Sequence, residues 1–402
     1  MFSLQKIQAD FPILSERIND RPLTYLDNAA TTQKPAVVIQ RSTDFYRTEN
    51  SNIHRGVHTL GERAALAYEN ARQEVKAFIG AGNEREVVFT SGTTAAINLV
   101  AHAFGEEFVH RGDEIIVSEM EHHSNILPWQ LLCNRKEAAL KVIPFDESGA
   151  LDLDTYEQLL NKRTKLVAVT HVSNVMGTIN PVDRIVTMAH AHNIPVLVDG
   201  AQGVGAIPVN MHELGVDFYA FTGRKWLCGP EGVGALYVSR KRIPEVDPTF
   251  ISPSSIRDRH DLDIRSPYVI PAPFAARYHI ATAMNKPLLL GFQKSLEYLL
   301  EHLGIDWITT RVPRLARYAR ELIANLPGIE LITPEGKEAG FVHFHVKGWE
   351  PQDLCGLLNK KKFMVRPVPK PHLPTPARIS TGFYNTEEEL ELFADALKEL
   401  IT

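Results

Sequence analysis

The chain's 402 residues, 44% apolar and 23% charged, suffice for one large buried core and a second smaller one, so two lobes are expected. A formal net charge of −5 with no basic block argues against nucleic acid as a partner, and no apolar run reaches the ~18 residues that a membrane-spanning helix needs. The N-terminal stretch lacks the charged-then-apolar pattern of a signal peptide, and Cys133, Cys228 and Cys355 are too widely spaced for a disulfide framework or a metal knuckle. The expectation is a cytoplasmic protein with a small-molecule partner and no metal.

In chain order, helical patterns fall at 59–79, 95–104, 183–192 and 288–303. Short apolar runs fall at 87–90, 114–118, 141–144, 165–170, 195–199, 218–222 and 234–238. Strands buried on both faces read as continuous apolar runs, so this alternation predicts an α/β lobe around a mostly parallel, seven-stranded sheet. Beyond about residue 305 the pattern becomes a long helix, an alternating strand at 341–346, a helix from Pro351, a strand at 363–366 and a last strand at 377–381. That is a small α+β lobe. A capping box, Thr386 with Glu389, opens the final helix. The division that follows is a large unit over 20–290 and a small unit made of 1–19 and 291–402.

An open α/β sheet holds its ligand at the carboxyl edge, so residues just past strand ends carry the functional argument. Ser91, Gly92, Thr93 and Thr94 form a strand-to-helix turn whose amides and hydroxyls suit a phosphate, although an ordinary helix cap has the same composition. Glu121, His122, His123, Ser124 and Asn125 bring imidazoles that could stack on a flat heterocycle or move protons. Asn174, in His171–Val172–Ser173–Asn174, offers an amide, and a turn asparagine is its plainer reading. Asp199 and Gln202 follow one strand, and Thr222, Arg224 and Lys225 follow another. Phosphate cup, imidazole, amide, acid and lysine thus recur at successive strand ends. A lysine to hold an aldehyde and a carboxylate to keep a pyridine nitrogen protonated are what pyridoxal 5′-phosphate requires.

At these residues the chain resembles the fold-type I, class V aminotransferase family and, within it, the SufS-type cysteine desulfurases. The matching stretches are Tyr25–Leu26–Asp27–Asn28–Ala29–Ala30, Asn52–Ile53–His54–Arg55–Gly56–Val57–His58, Ser91 to Thr94, Glu121 to Asn125, His171 to Gly177 and Asp199 to Gln202. The resemblance implies that Lys225 forms the Schiff base, Asp199 partners the ring nitrogen, Gln202 bonds the ring oxygen and His123 stacks on the ring. It further implies that Thr93, Thr94, Asn174, Thr222, Arg224 and Thr282 serve the cofactor, Thr282 from the partner of a homodimer. Ala29, His54, Arg55, Asn174 and Arg378 would then face an amino-acid substrate, with Arg378 on its α-carboxylate.

Departures from that family's pattern bear on the reaction. The desulfurases carry a catalytic cysteine on the loop after the Val-Arg strand, whereas here Val365–Arg366 runs into Pro367–Val368–Pro369–Lys370–Pro371–His372–Leu373–Pro374–Thr375–Pro376, with five prolines and no thiol. Arg224 replaces a histidine, residues 249–256 replace a Gly-rich run, and the turn Trp226–Leu227–Cys228–Gly229–Pro230 together with Ala281–Thr282 resembles the cysteine and cystine C–S lyases, with isopenicillin N epimerase-like enzymes close behind.

The resulting expectation is C–S cleavage of cysteine, cystine or a related β-thio amino acid by β-elimination, giving pyruvate and ammonia. Alternatives are a desulfurase that yields alanine and persulfide, with Cys228 as the thiol, and an epimerase, aminotransferase or tailoring enzyme on a non-sulfur amino acid. A cofactor-free scaffold protein is the last. A sulfur-acceptor protein leaves no motif to read.

Overall fold

Seven strands lie side by side in the order Val87–Thr90, Gly234–Val238, Phe218–Thr222, Val196–Asp199, Thr164–Thr170, Glu114–Ser118 and Ala139–Ile143. The structure is a computed structural model that describes residues 3–18, 20–53, 58–146, 148–245, 248, 251–252, 255–257, 265, 270–278, 285–336, 338–369 and 374–402. Gly234–Val238 runs antiparallel to both neighbours and every other pairing is parallel. The carboxyl ends of the remaining strands therefore share one edge.

Alternation along each strand divides the core between the two faces of this sheet. Val87, Phe89, Val167, Val169, Val196, Val198, Tyr219 and Phe221 join one apolar cluster. Their neighbours Val88, Leu166, Ala168, Leu197, Phe218 and Ala220 join another, beneath the helix Thr93–Val100 and the helix Leu127–Lys136. Both faces are thus covered, which is why these segments read as unbroken apolar runs.

A second, antiparallel sheet has the order Ile329–Leu331, Phe341–Val346, Ala377–Ser380 and Arg366–Pro367. Helices Ile305–Ala324, Pro351–Lys360 and Glu387–Ile401 share its core, built on Leu315, Val342, Phe344, Leu358, Ile379 and Phe393. The capping box at Thr386 and Glu389 forms as expected.

Among the elements that differ from their sequence reading, two do so for clear reasons. The strand expected at 363–366 is two short pieces: Phe363–Met364 pairs in parallel with Thr24–Tyr25, whereas Arg366–Pro367 pairs with Ala377–Ser380. Pro367 cannot donate to a ladder, and it is tolerated because its strand lies at the sheet edge. The helix expected at 288–303 begins at Lys286, where Asn285 caps Leu288 N, and its last turn, Tyr298–Leu303, is wider than α-helical.

Candidate active site

Strand register assembles the site. Thr90 and Thr222 are both cross-strand partners of Gly234, so the turn after Thr90 lies beside Thr222. Thr170 and Ala220 both pair with Asp199, which places that acid between the third and fifth strands of the sheet. Side chains two residues apart share a face, so Thr90, Thr170, Asp199 and Thr222 all project toward the face under helix Thr93–Val100.

At the helix start, Gly92 has φ +141°, a left-handed value that an L side chain rarely adopts. This conformation turns the chain so that Ser91, Gly92, Thr93, Thr94 and Ala95 line a cavity of about 310 Å³ at the positive end of the helix dipole. Thr94 Oγ1 lies 2.8 Å from Ser124 Oγ, and the buried Thr93 Oγ1 has no hydrogen-bond partner among the described residues. Asn174, Asp199, Gln202, Thr222, Arg224 and Lys225 line the same cavity.

Asp199 is almost fully buried, and its Oδ1 accepts one bond from Ala201 N at 2.9 Å. Burial pushes its carboxyl above the ordinary value, against the pull of Ala201 N–H and the Lys225 charge. Burial also lowers the Lys225 ammonium to about 8; Asp199 opposes that shift, and Arg224, Arg378 and Arg366 reinforce it. The lysine's backbone is anchored from below, since Thr32 Oγ1 donates to Lys225 O and Lys34 Nζ donates to Arg224 O at 3.0 Å. Gln202 is fixed at both ends: its Nε2 donates to Ala29 O at 2.9 Å and its Oε1 accepts from Trp226 Nε1 at 2.8 Å.

A second cavity of about 300 Å³ adjoins the first and shares His122, Asn174, Gln202, Arg224 and Lys225 with it. Ala29, His123, Arg366 and Arg378 complete its reactive lining. The buried Glu121, also in this lining, accepts from Ser118 Oγ, from Asn125 Nδ2 at 2.7 Å and from Thr170 N at 2.8 Å. Burial outweighs these bonds and raises the Glu121 carboxyl to about 8. His343, kept neutral by burial, donates through Nε2 to Asn174 O at 3.0 Å and so ties the Asn174 loop to the small sheet.

Of the sequence-derived candidates, Thr93, Thr94, Asn174, Asp199, Gln202, Thr222, Arg224 and Lys225 meet in the first cavity. Ala29, His123 and Arg378 meet in the second, again with Asn174. His122 lines both cavities, whereas His123 lines the second alone. His54, Arg55 and Thr282 lie outside the described residues, as do 249, 250, 253 and 254 of the stretch that replaces the Gly-rich run. Sequence reasoning assigned no role to Glu121, His343 or Arg366. Glu121 stood within a quoted motif and Arg366 at a quoted strand end, but what each faces depends on pairing between distant segments.

The donors fit pyridoxal phosphate: an orphaned hydroxyl at a helix N-terminus for the phosphate, a buried acid for the ring nitrogen, and an enclosed lysine with a depressed pKa for the aldehyde. Comparison with known proteins agrees. Residues 24–393 match the family model for class-V aminotransferases. A probable cysteine desulfurase of Mycolicibacterium paratuberculosis is 42% identical across 100% of this chain, which spans 58% of that relative's length. Two further curated relatives are likewise longer, the chain spanning 66% and 64% of them. A cysteine desulfurase of Shigella sonnei is 39% identical over 99% of the chain and 98% of its own length. The apo cysteine desulfurase of Thermococcus onnurineus superposes with a TM-score of 0.91 at 33% identity, covering 100% of this chain and 98% of that one. The chain belongs to the class-V aminotransferase family of pyridoxal phosphate enzymes.

Proposed function

We propose that this enzyme cleaves the C–S bond of a cysteine-like amino acid by β-elimination, releasing the sulfur group together with pyruvate and ammonia. One observation carries the choice of elimination: no thiol lines either cavity, and the chain's three cysteines are all buried elsewhere. Lys225 Nζ would hold the cofactor aldehyde, Asp199 the ring nitrogen, Gln202 the ring oxygen, and the Thr93, Thr94 and Thr222 hydroxyls with the turn amides the phosphate. Bound pyridoxal phosphate would supply a sink for the electrons left at the substrate's α-carbon.

The chain's own groups account for the rest. Arg378 would grip the α-carboxylate, a task suited to a guanidinium fork. Lys225 Nζ, with a pKa near 8, can accept the α-proton and return it close to neutral pH. Asn174, tied by its carbonyl to His343, would orient the substrate from the side.

A second reading, desulfuration to alanine with the sulfur kept on the protein, is favoured by the relatives' printed activity. It needs a nucleophilic thiolate. Cys228 is fully buried, and burial raises its thiol to about 11, which opposes that role. Product analysis separates the two: pyruvate and free sulfide from cysteine support elimination, whereas alanine and protein-bound sulfur would establish desulfuration. Borohydride reduction of the holoenzyme followed by peptide mass analysis should place the cofactor on Lys225. Homodimerisation, implied by the resemblance, and the unit boundaries at residues 20 and 290, read from the sequence pattern, are open to light scattering and limited proteolysis.

A further inference from the structure

Asp199 is supported from the face of the sheet opposite to its carboxylate. It pairs with Thr170 on one side and Ala220 on the other, so His171 and Tyr219, each one residue away along those strands, project to the other face. There His171 Nδ1 lies 2.8 Å from the Tyr219 hydroxyl, and both side chains are buried. Burial and the Asp199 charge push the phenol well above its ordinary value, and burial lowers His171 to about 4, so both groups are neutral near neutral pH. The Tyr219 O–H has no other acceptor among the described residues. It therefore donates to Nδ1, and His171 keeps its proton on Nε2.

The turn after Asp199 rests on this pair. Gly200 N donates to Ala220 O at 2.8 Å, and Gly203 N and Val204 N donate back to Gly200 O at 3.0 and 3.1 Å. A Cβ at Gly200 would meet the Tyr219 ring at 1.9 Å, and one at Gly203 would stand 2.9 Å from the Tyr219 hydroxyl and 3.3 Å from His171 Nδ1. That turn supplies the Ala201 N–H that orients the Asp199 carboxylate, and it carries Gln202. His171 N also donates to Asp199 O at 2.9 Å, so this residue touches the acid through its backbone and the floor of the turn through its ring. Phenylalanine would fill the apolar space that Tyr219 occupies, and a buried hydroxyl is costly unless bonded. What the hydroxyl adds is an anchor that stops the ring from tilting away from the turn.

We infer that Tyr219 and His171 are positioning residues for Asp199: their hydrogen bond fixes the floor of the 200–203 turn and so holds the carboxylate where it keeps the cofactor's ring nitrogen protonated. This reading rests on the assignment of Asp199 to that nitrogen. Neither residue lines the two cavities of the site, so both act only through the acid.

The test is nitrogen NMR of the holoenzyme loaded to saturation with pyridoxal phosphate carrying nitrogen-15 in its ring. The parent should show a pyridinium resonance, and Asp199→Asn should move it toward the neutral pyridine position. Tyr219→Phe and His171→Leu should each displace the resonance in the same direction. His171→Asn, whose amide oxygen stands where Nδ1 does, should return it to the parent position. A merely structural pair would lower the melting temperature without moving this resonance. A resonance that Asp199→Asn moves but Tyr219→Phe leaves in place would overturn the inference, and Tyr219→Phe, which keeps the ring, decides this even where His171→Leu does not fold. A parent resonance that is already neutral, or one that Asp199→Asn does not move, would instead strike the Asp199 assignment and the inference with it.

Discussion

Asp27 and Arg378 form an ion pair at 3.0 Å that fastens the N-terminal segment to the small sheet inside the site. Burial moves both groups against ionisation, the carboxyl upward and the guanidinium downward, so desolvation outweighs their mutual attraction. The pair therefore serves to aim Arg378 more than to stabilise the fold.

Removing Asp27 should expose that balance. Asp27→Ala leaves Arg378 buried without its partner, and a stability loss of about 3–5 kcal/mol is expected in urea unfolding. A loss below about 1 kcal/mol would mean that the guanidinium finds water or another acceptor.

Glu121 makes stability depend on pH. Its folded pKa of about 8 stands above the ordinary 4.5. Between those values the folded chain keeps a proton that the unfolded chain has released, so the stability this group contributes is full below 4.5 and is lost as pH rises through 8. Glu121→Gln cannot titrate and should flatten the profile across that window. Urea midpoints at several pH values provide the check, and a variant profile as steep as the parent's would contradict it.

Cofactor loading should follow the ionisation of Lys225. With an amine pKa near 8, the rate at which the unloaded chain takes up pyridoxal phosphate should rise with pH, half-maximally near 8 and roughly tenfold lower for each unit below. Arg366 helps to depress that pKa, so Arg366→Gln should move the midpoint upward. The growth of visible absorbance on mixing reports the rate. A pH-independent rate would mean that lysine ionisation does not limit loading.

Gly200 is a steric requirement. A Cβ there would sit 1.9 Å from the Tyr219 ring, whose hydroxyl bonds His171 Nδ1 at 2.8 Å. Gly200→Ala should cost about 1–3 kcal/mol of stability and loosen cofactor retention, because Asp199 is the adjacent residue. Thermal unfolding and dialysis against buffer measure the two effects. An unchanged melting temperature would show that Tyr219 can swing aside at no cost.

Local order was readable in the residues themselves. The apolar runs at 87–90, 114–118 and 218–222 became strands because both faces are covered, and Thr386 with Glu389 set the last helix start through bonds that span three residues. The turn after Thr90 was legible for the same reason, since a Gly between a strand and a helix is a local device. The split of 363–366 was not legible, because Thr24–Tyr25 pairs with Phe363–Met364 across more than three hundred residues of sequence. His343 and Arg366 likewise looked like ordinary strand residues.

The sequence alone determined the chemistry on offer: a lysine, an acid, a phosphate turn and an imidazole pair at strand ends, with no thiol on the segment after Arg366. Tertiary structure decided which of these groups share a cavity, and at what charge. Register brought Asp199 beside Thr170, and Arg366 opposite Arg378. Enclosure then shifted Glu121 and Lys225 toward their neutral forms. Residue identity sets what a group can donate or accept, whereas desolvation and the field of distant charges arise only once the chain has folded around it.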